Sequence, residues 1–184
     1  MNNNTNWSSN LNGVFHSSLA LGDIDLDGNL DLVISGCLSG GALTSCTSTD
    51  KTRIYLNNGT TFTENQTWSS NITNVSIGSL AFGDIDNDGD LDLITTGNLN
   101  NTAGSVKVYL NNGTSFVENF TWEQNLTSIS NTLGSSIALG DIDNDGRLDL
   151  GLIGTESTQE NGIYINNGTA FVKNSTWLLE LPLA

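Results

Sequence analysis

Twelve aspartates set the chemistry open to this chain. They stand at positions 1, 3, 5 and 9 of three nine-residue stretches: Asp23, Asp25, Asp27 and Asp31; Asp84, Asp86, Asp88 and Asp92; Asp141, Asp143, Asp145 and Asp149. Four carboxylates this close repel one another unless a cation sits among them. Every donor is a hard oxygen and no stretch contains Cys or His, so the cluster suits a hard divalent ion. A flexible loop of several carboxylates suits Ca2+ better than Mg2+. Three structural calcium sites per chain are therefore expected; the alternative, a solvated acidic turn without metal, leaves the repulsion uncompensated.

The residues between the acids fit the same reading. Gly28, Gly89 and Gly146 at position 6 supply the backbone freedom needed to wrap an ion. Position 7 is Asn29, Asp90 or Arg147. Three unlike side chains are tolerated there if the residue contributes its carbonyl as a ligand. Leu30, Leu91 and Leu148 at position 8 are expected to point into a core and anchor the loop. An EF-hand would place a bidentate Glu at position 12, but Ile34, Thr95 and Leu152 stand there, so that motif is excluded.

The loops need elements to hold them. Each follows Ser-Leu-Ala-Leu, Ser-Leu-Ala-Phe or Ser-Ile-Ala-Leu and precedes an apolar run such as Leu-Val-Ile-Ser-Gly, so each joins two strands of a hairpin. The loops recur at spacings of 61 and 57 residues. Two landmarks keep the same beat: Tyr-Leu-Asn-Asn-Gly-Thr at 55–60 and 109–114, with Tyr-Ile-Asn-Asn-Gly-Thr at 164–169, and Thr-Trp at Trp68, Trp122 and Trp177. One unit therefore holds four strands, which in the middle copy are expected at 79–84, 91–97, 106–111 and 115–122. The Asn-Gly pairs predict type I′ hairpin turns. Long-period repeats of four strands are the signature of propeller blades. The expected fold is all-β, a β-propeller segment of four-stranded antiparallel blades, with a leader at 1–13 and blades at 14–75, 76–131 and 132–184.

The motif Gly-Asp-Ile-Asp-x-Asp-Gly-x-Leu-Asp-Leu between strands resembles the FG-GAP or VCBS repeat family, the calcium-binding blades of integrin α-subunit propellers and many microbial surface proteins. The resemblance covers residues 14–184. It implies that the named aspartates are calcium ligands, with position 7 giving its carbonyl, and that the module binds a protein partner in adhesion without catalysing a reaction. Leu26 departs at position 4, where Asn87 and Asn144 stand in the other copies. Three blades cannot close a ring, since propellers have typically 4 to 8. A homodimer forming a six-bladed ring is therefore expected.

Composition narrows the remaining classes. A 36% apolar content can build a core, and the formal charge of −15 comes largely from the loops, which hold twelve of the 20 acids. Five cations form no basic stripe for nucleic acid. No window reads as a membrane span and the first residues do not read as a signal peptide. Loops of this kind need extracellular calcium, so the chain is expected to be a fragment of a secreted or cell-surface protein.

Cys37 and Cys46 both lie in the connection after the second strand of the first blade. There 24 residues separate Asp31 from Tyr55, against 17 from Asp92 to Tyr109. A local disulfide is expected, with buried free thiols as the alternative. His16 is the only histidine and has no nucleophile or acid arranged around it, so it reads as a strand-edge residue. The repeated Trp and Tyr could be sugar-stacking platforms of a propeller lectin, but packing between blades is the plainer reading. A third possibility is a non-catalytic part of a polysaccharide-acting enzyme. Twelve Asn-x-Ser/Thr sequons, among them Asn65, Asn71, Asn119 and Asn174, follow from an Asn- and Thr-rich composition.

Overall fold

The computed structural model describes residues 11–38, 50–99, 102–126, 134–154 and 161–176. The first sheet is β1 (Phe15–Gly22), β2 (Asp31–Cys37), β3 (Asp50–Asn57) and β4 (Phe62–Glu64), followed by a one-turn helix α1 (Gln66–Ser69). The second is β5 (Leu80–Gly83), β6 (Asp92–Leu99), β7 (Thr102–Asn111) and β8 (Phe116–Glu118), followed by α2 (Phe120–Glu123). The third is β9 (Ser136–Gly140), β10 (Asp149–Ile153), β11 (Gly162–Asn166) and β12 (Phe171–Lys173). Each sheet is an antiparallel meander in chain order, as a propeller blade is. Equivalent residues keep one register: Gly22, Gly83 and Gly140 face Asp31, Asp92 and Asp149, while Leu32, Leu93 and Leu150 face Tyr55, Tyr109 and Tyr164.

Three expectations need correction. The fourth strand is shorter than 115–122: β8 stops at Glu118 and Trp122 lies on a helical turn. The cause is Asn119, whose side chain accepts from the N–H groups of Thr121 and Trp122 and so caps the turn; Asn65 does the same for α1. The Asn-Gly turns are not type I′, because only Gly59, Gly113 and Gly168 take positive φ (81°, 80° and 88°) and the preceding Asn residues do not. Instead the Asn58 Oδ1 accepts from the N–H of Thr60 and Thr61, both at 3.1 Å, and Asn112 and Asn167 repeat the arrangement. Finally, Leu30 is exposed rather than anchored in a core, and Leu91 and Leu148 are half-buried.

Those leucines fail to enter a core within their own blade because the core lies between sheets. One cluster joins Ile24, Val33, Ile54 and Trp68 of the first sheet and its helix to Leu80, Leu93, Tyr109 and Phe116 of the second. The other joins Ile94, Val108 and Trp122 to Ile137, Leu150, Tyr164 and Phe171. Trp68 meets the Phe116 ring edge-on at 5.1 Å and Trp122 meets Phe171 at 5.2 Å. Each such aromatic pair adds about 0.5–1.5 kcal/mol beyond area burial. The aromatic repeat therefore packs each blade against the next. Trp68, Trp122, Tyr55, Tyr109 and Tyr164 are all buried, so none of them offers an open face to a sugar. Trp7 and Trp177 lie outside the described residues, as does Cys46; Cys37, at the end of β2, is fully buried.

A backbone relay links β1 to the segments just before β5 and β9. The Ile77 N–H donates to the His16 carbonyl at 3.1 Å, and the Gly134 N–H donates to the Ile77 carbonyl at 3.0 Å. All three residues have positive φ (51°, 55° and 76°). That conformation is costly for a β-branched residue such as Ile77, and the relay that uses its N–H and its carbonyl is what holds it there. His16 is thus a structural link between blades.

Candidate metal centre

Each loop is a hairpin connection folded around its own carboxylates. Asp23 accepts the Asp27 N–H (3.1 Å) on one oxygen and the Gly28 N–H (2.9 Å) on the other. Asp84 and Asp141 repeat this with Asp88 and Gly89, and with Asp145 and Gly146. The turn requires φ of 90°, 98° and 87° at Gly28, Gly89 and Gly146, which a side chain would resist. Two residues earlier, position 4 is also left-handed: Leu26, Asn87 and Asn144 have φ of 58°, 59° and 61°. Asn tolerates this conformation and Leu does not, so the departure at Leu26 costs backbone energy.

Position 9 serves a different purpose from the other acids. Asp92 accepts the Ile85 N–H at 2.8 Å and the Asn111 N–H at 2.9 Å, tying the loop start to the third strand. Asp31 does so with Ile24 and Asn57, and Asp149 with Ile142 and Asn166. All three position-9 side chains are fully buried. Burial pushes the Asp92 carboxyl up to about 7, against the pull of its two N–H partners, and Asp86 and Asp88 push it further the same way. Burial also raises Asp31, and it raises Asp86 with help from Asp88. A divalent cation among them would stabilise the charged form of acids held together at this energetic cost.

Ligand atoms within 4.8 Å of one another come from Asp23, Asp25 and Asp27 in the first loop, Asp84, Asp86 and Asp92 in the second, and Asp141, Asp143 and Asp149 in the third. The donor set is all carboxylate, which fits Ca2+. Asp31, Asp88 and Asp145 stand beside these groups. Asp88 accepts the Asp90 N–H at 2.9 Å, and Asp145 accepts the Arg147 N–H at 2.9 Å while pairing with the Arg147 guanidinium. Arg147 Nε also donates to the Asn166 carbonyl at 2.7 Å. Asn29 at the same position bonds within its own loop: its Nδ2 donates to Asp27 at 3.0 Å.

Sequence reasoning missed Asn57, Asn111 and Asn166. Asn111 Nδ2 donates to the Ile24 carbonyl of the preceding loop at 2.8 Å and to the Leu91 carbonyl of its own at 3.2 Å. Asn166 bridges Ile85 (2.9 Å) and Leu148 (3.1 Å) in the same way. The signal was available: the first Asn of the Asn-Asn-Gly-Thr motif recurs in all three copies.

A model of the FG-GAP-like repeat family matches residues 42–95 and 97–152. Each matched segment runs from the outer strands of one sheet through the aspartate loop of the next, so the recurring unit of sequence straddles a boundary between blades. No curated protein matches the chain. The two matched segments cover more than half of its length and contain the second and third aspartate loops, and the chain belongs to the FG-GAP-like repeat family.

Proposed function

We propose that the chain is a calcium-stabilised β-propeller module of a secreted or cell-surface protein, with a structural, protein-binding, adhesion-like role and no catalysis of its own. One observation carries the calcium reading: three separate loops each gather three carboxylates within 4.8 Å. In this reading the ligands are the aspartates at positions 1, 3, 5 and 9 together with the carbonyls of Asn29, Asp90 and Arg147. The ion clamps each hairpin and so holds the faces between blades in register. A Cys37–Cys46 disulfide closes the longer connection of the first blade. Two three-bladed chains pair as a homodimer, supplying six blades in all, within the usual range.

The test is thermal unfolding in calcium and in a chelator, with calorimetric titration of the metal-free protein. An ion bound only by the folded state stabilises by about 2.7 kcal/mol per site at 100 times its dissociation constant. A large upward shift of the melting temperature and three ions per chain are expected. Superimposable melting curves and no heat of binding would refute the reading.

A further inference from the structure

The outer edge of the third strand is finished differently in the first two blades, and in the first the finish leaves positive charge in excess. In both, the fourth strand stops early and a one-turn helix takes over the edge. In the second blade that helix supplies Glu123, which is buried. Its carboxylate accepts the Val108 N–H at 3.0 Å and pairs with Lys107 Nζ at 3.1 Å. Lys107 pairs with Glu118 as well, so one cation answers two acids.

In the first blade the matching positions are Arg53, Glu64 and Ser69. Ser69 Oγ takes over the backbone duty by accepting the Ile54 N–H at 3.0 Å, but it brings no charge. The guanidinium keeps one acid, Glu64, at 3.6 Å from Nε, and its Nη1 is buried with no hydrogen-bond partner among the described residues. Lys51 stands two residues earlier on β3, where the second blade has Ser105. The balance is thus inverted: two cations and one acid here, one cation and two acids there. The third blade has Gly162 in place of Arg53, so the arrangement is confined to the first.

These residues line a cleft of about 330 Å3 along the edge of β3. Lys51, Arg53, Glu64, Gln66 and Ser69 make its wall polar, and Ile72 is the one apolar side chain in the lining. Every lining residue falls between 51 and 74, so the cleft is made by one blade and the turn that follows it, not by a junction with a neighbour. Its volume is at the lower end of clefts that hold small molecules, roughly 300–1,000 Å3. We propose that this cleft binds the carboxylate of a small polar molecule, one sugar-acid ring or one acidic amino acid in size. Arg53 and Lys51 receive from it the charge that Glu123 supplies from within the chain in the second blade. The planar guanidinium suits a carboxylate, to which it can give two parallel N–H bonds. Glu64 is no bar to a second acid, because Lys107 already holds Glu118 and Glu123 together with one cation fewer. None of these residues belongs to an aspartate loop, so the proposal stands apart from the calcium reading.

A two-dimensional 15N NMR titration of the 184-residue chain tests it, read at the Arg53 Nε–H and the Ile54 backbone N–H. Arg53 and Arg147 are the only arginines, so the side-chain signal is assigned by substitution. The probes are glucuronate and glutamate, with glucose and sulfate as controls at matched ionic strength. Saturable shifts with a carboxylate probe and none with the controls are expected, and the tighter of the two probes tells a sugar acid from an amino acid. Ser69→Glu installs the carboxylate that the second blade carries at Glu123, and is expected to weaken probe binding by about tenfold or more. Arg53→Gln, read at Ile54, is expected to do the same, and wild-type circular dichroism shows that a variant folds; should one misfold, the other decides. No saturable shift with either carboxylate, equal shifts with glucose or sulfate, or undiminished binding in either folded variant would overturn the proposal.

Discussion

The second and third aspartate loops are the same at every position but one, yet they sit in different surroundings. Asp90 at position 7 of the second loop is Arg147 in the third. The second loop has a blade on each side: Asn166 reaches across to the Ile85 carbonyl, and Ile85 is buried. Among the described residues the third has a neighbour on one side only, and Ile142 is exposed. The carboxylates that could hold a cation are local to the nine residues. The dryness and rigidity around them come from the next blade. An aspartate loop in this architecture is therefore finished by a residue more than 70 positions away, since Asn166 lies 81 residues from Ile85.

The largest effect comes from breaking that long-range contact. Asn166→Ala strands the buried carbonyl of Ile85 together with the part-buried Leu148 carbonyl and Gly168 N–H, all three of which bond the Asn166 side chain. A buried group left unsatisfied costs about 1–3 kcal/mol, so the expected loss is about 3 kcal/mol for the set. Asn57→Ala, whose side chain has only Leu30 and Gly59 as partners among the described residues, should cost measurably less. Urea unfolding of both variants in calcium decides the matter. Equal losses would mean that the reach across the junction contributes nothing.

Next in size is the loss of one ion. Asp143→Ala removes a member of the third carboxylate group. Calorimetric stoichiometry should fall from three ions to two, with about 2.7 kcal/mol of stabilisation lost at 100 times the dissociation constant. Asn144→Ala should leave the stoichiometry at three and cost only the preference of Asn for its φ of 61°. The same stoichiometry for both variants would contradict the ligand assignment.

Arg147→Asp makes the third loop letter for letter the second, and so separates sequence from surroundings. The guanidinium pairs with Asp145 and competes for charge that an ion would otherwise use. Its removal is expected to tighten calcium at that loop by about tenfold, or roughly 1.4 kcal/mol. Any difference that then persists between the second and third sites in a calcium titration belongs to their surroundings, Ile85 being buried and Ile142 exposed. If affinity at the third loop falls instead, the Arg147 contact to the Asn166 carbonyl matters more than the charge.

Much of this architecture was legible in the sequence because the repeat is long and each copy repeats its chemistry. The hairpin loop, the strand pairs around it and the glycine at position 6 follow from residue types at fixed spacing. The ends of the outer strands were not legible, because Asn65 and Asn119 cap a helical turn in a stretch whose pattern also suits a strand. Nor was the destination of the position-8 leucines. An apolar residue after a polar loop says that it will be covered, not by which sheet, and here the cover is the glycine of the preceding blade. The buried position-9 aspartates look like any other acid of the loop until their two N–H partners are seen.

The smallest effect concerns the first loop, which differs from the second at positions 4 and 7. Leu26 has φ of 58° and its side chain is exposed, so it carries the strain of a left-handed residue without any packing in return. Asn87 and Asn144 occupy the same conformation at 59° and 61°. Left-handed backbone costs an ordinary residue about 1–2 kcal/mol, and Asn recovers part of that. Leu26→Asn is therefore expected to raise stability by roughly 1 kcal/mol in urea unfolding, with the calcium count unchanged, because position 4 is not among the grouped ligands. A destabilised variant would show that Leu26 is held by a contact that its exposure hides; a changed ion count would show that position 4 reaches the metal after all.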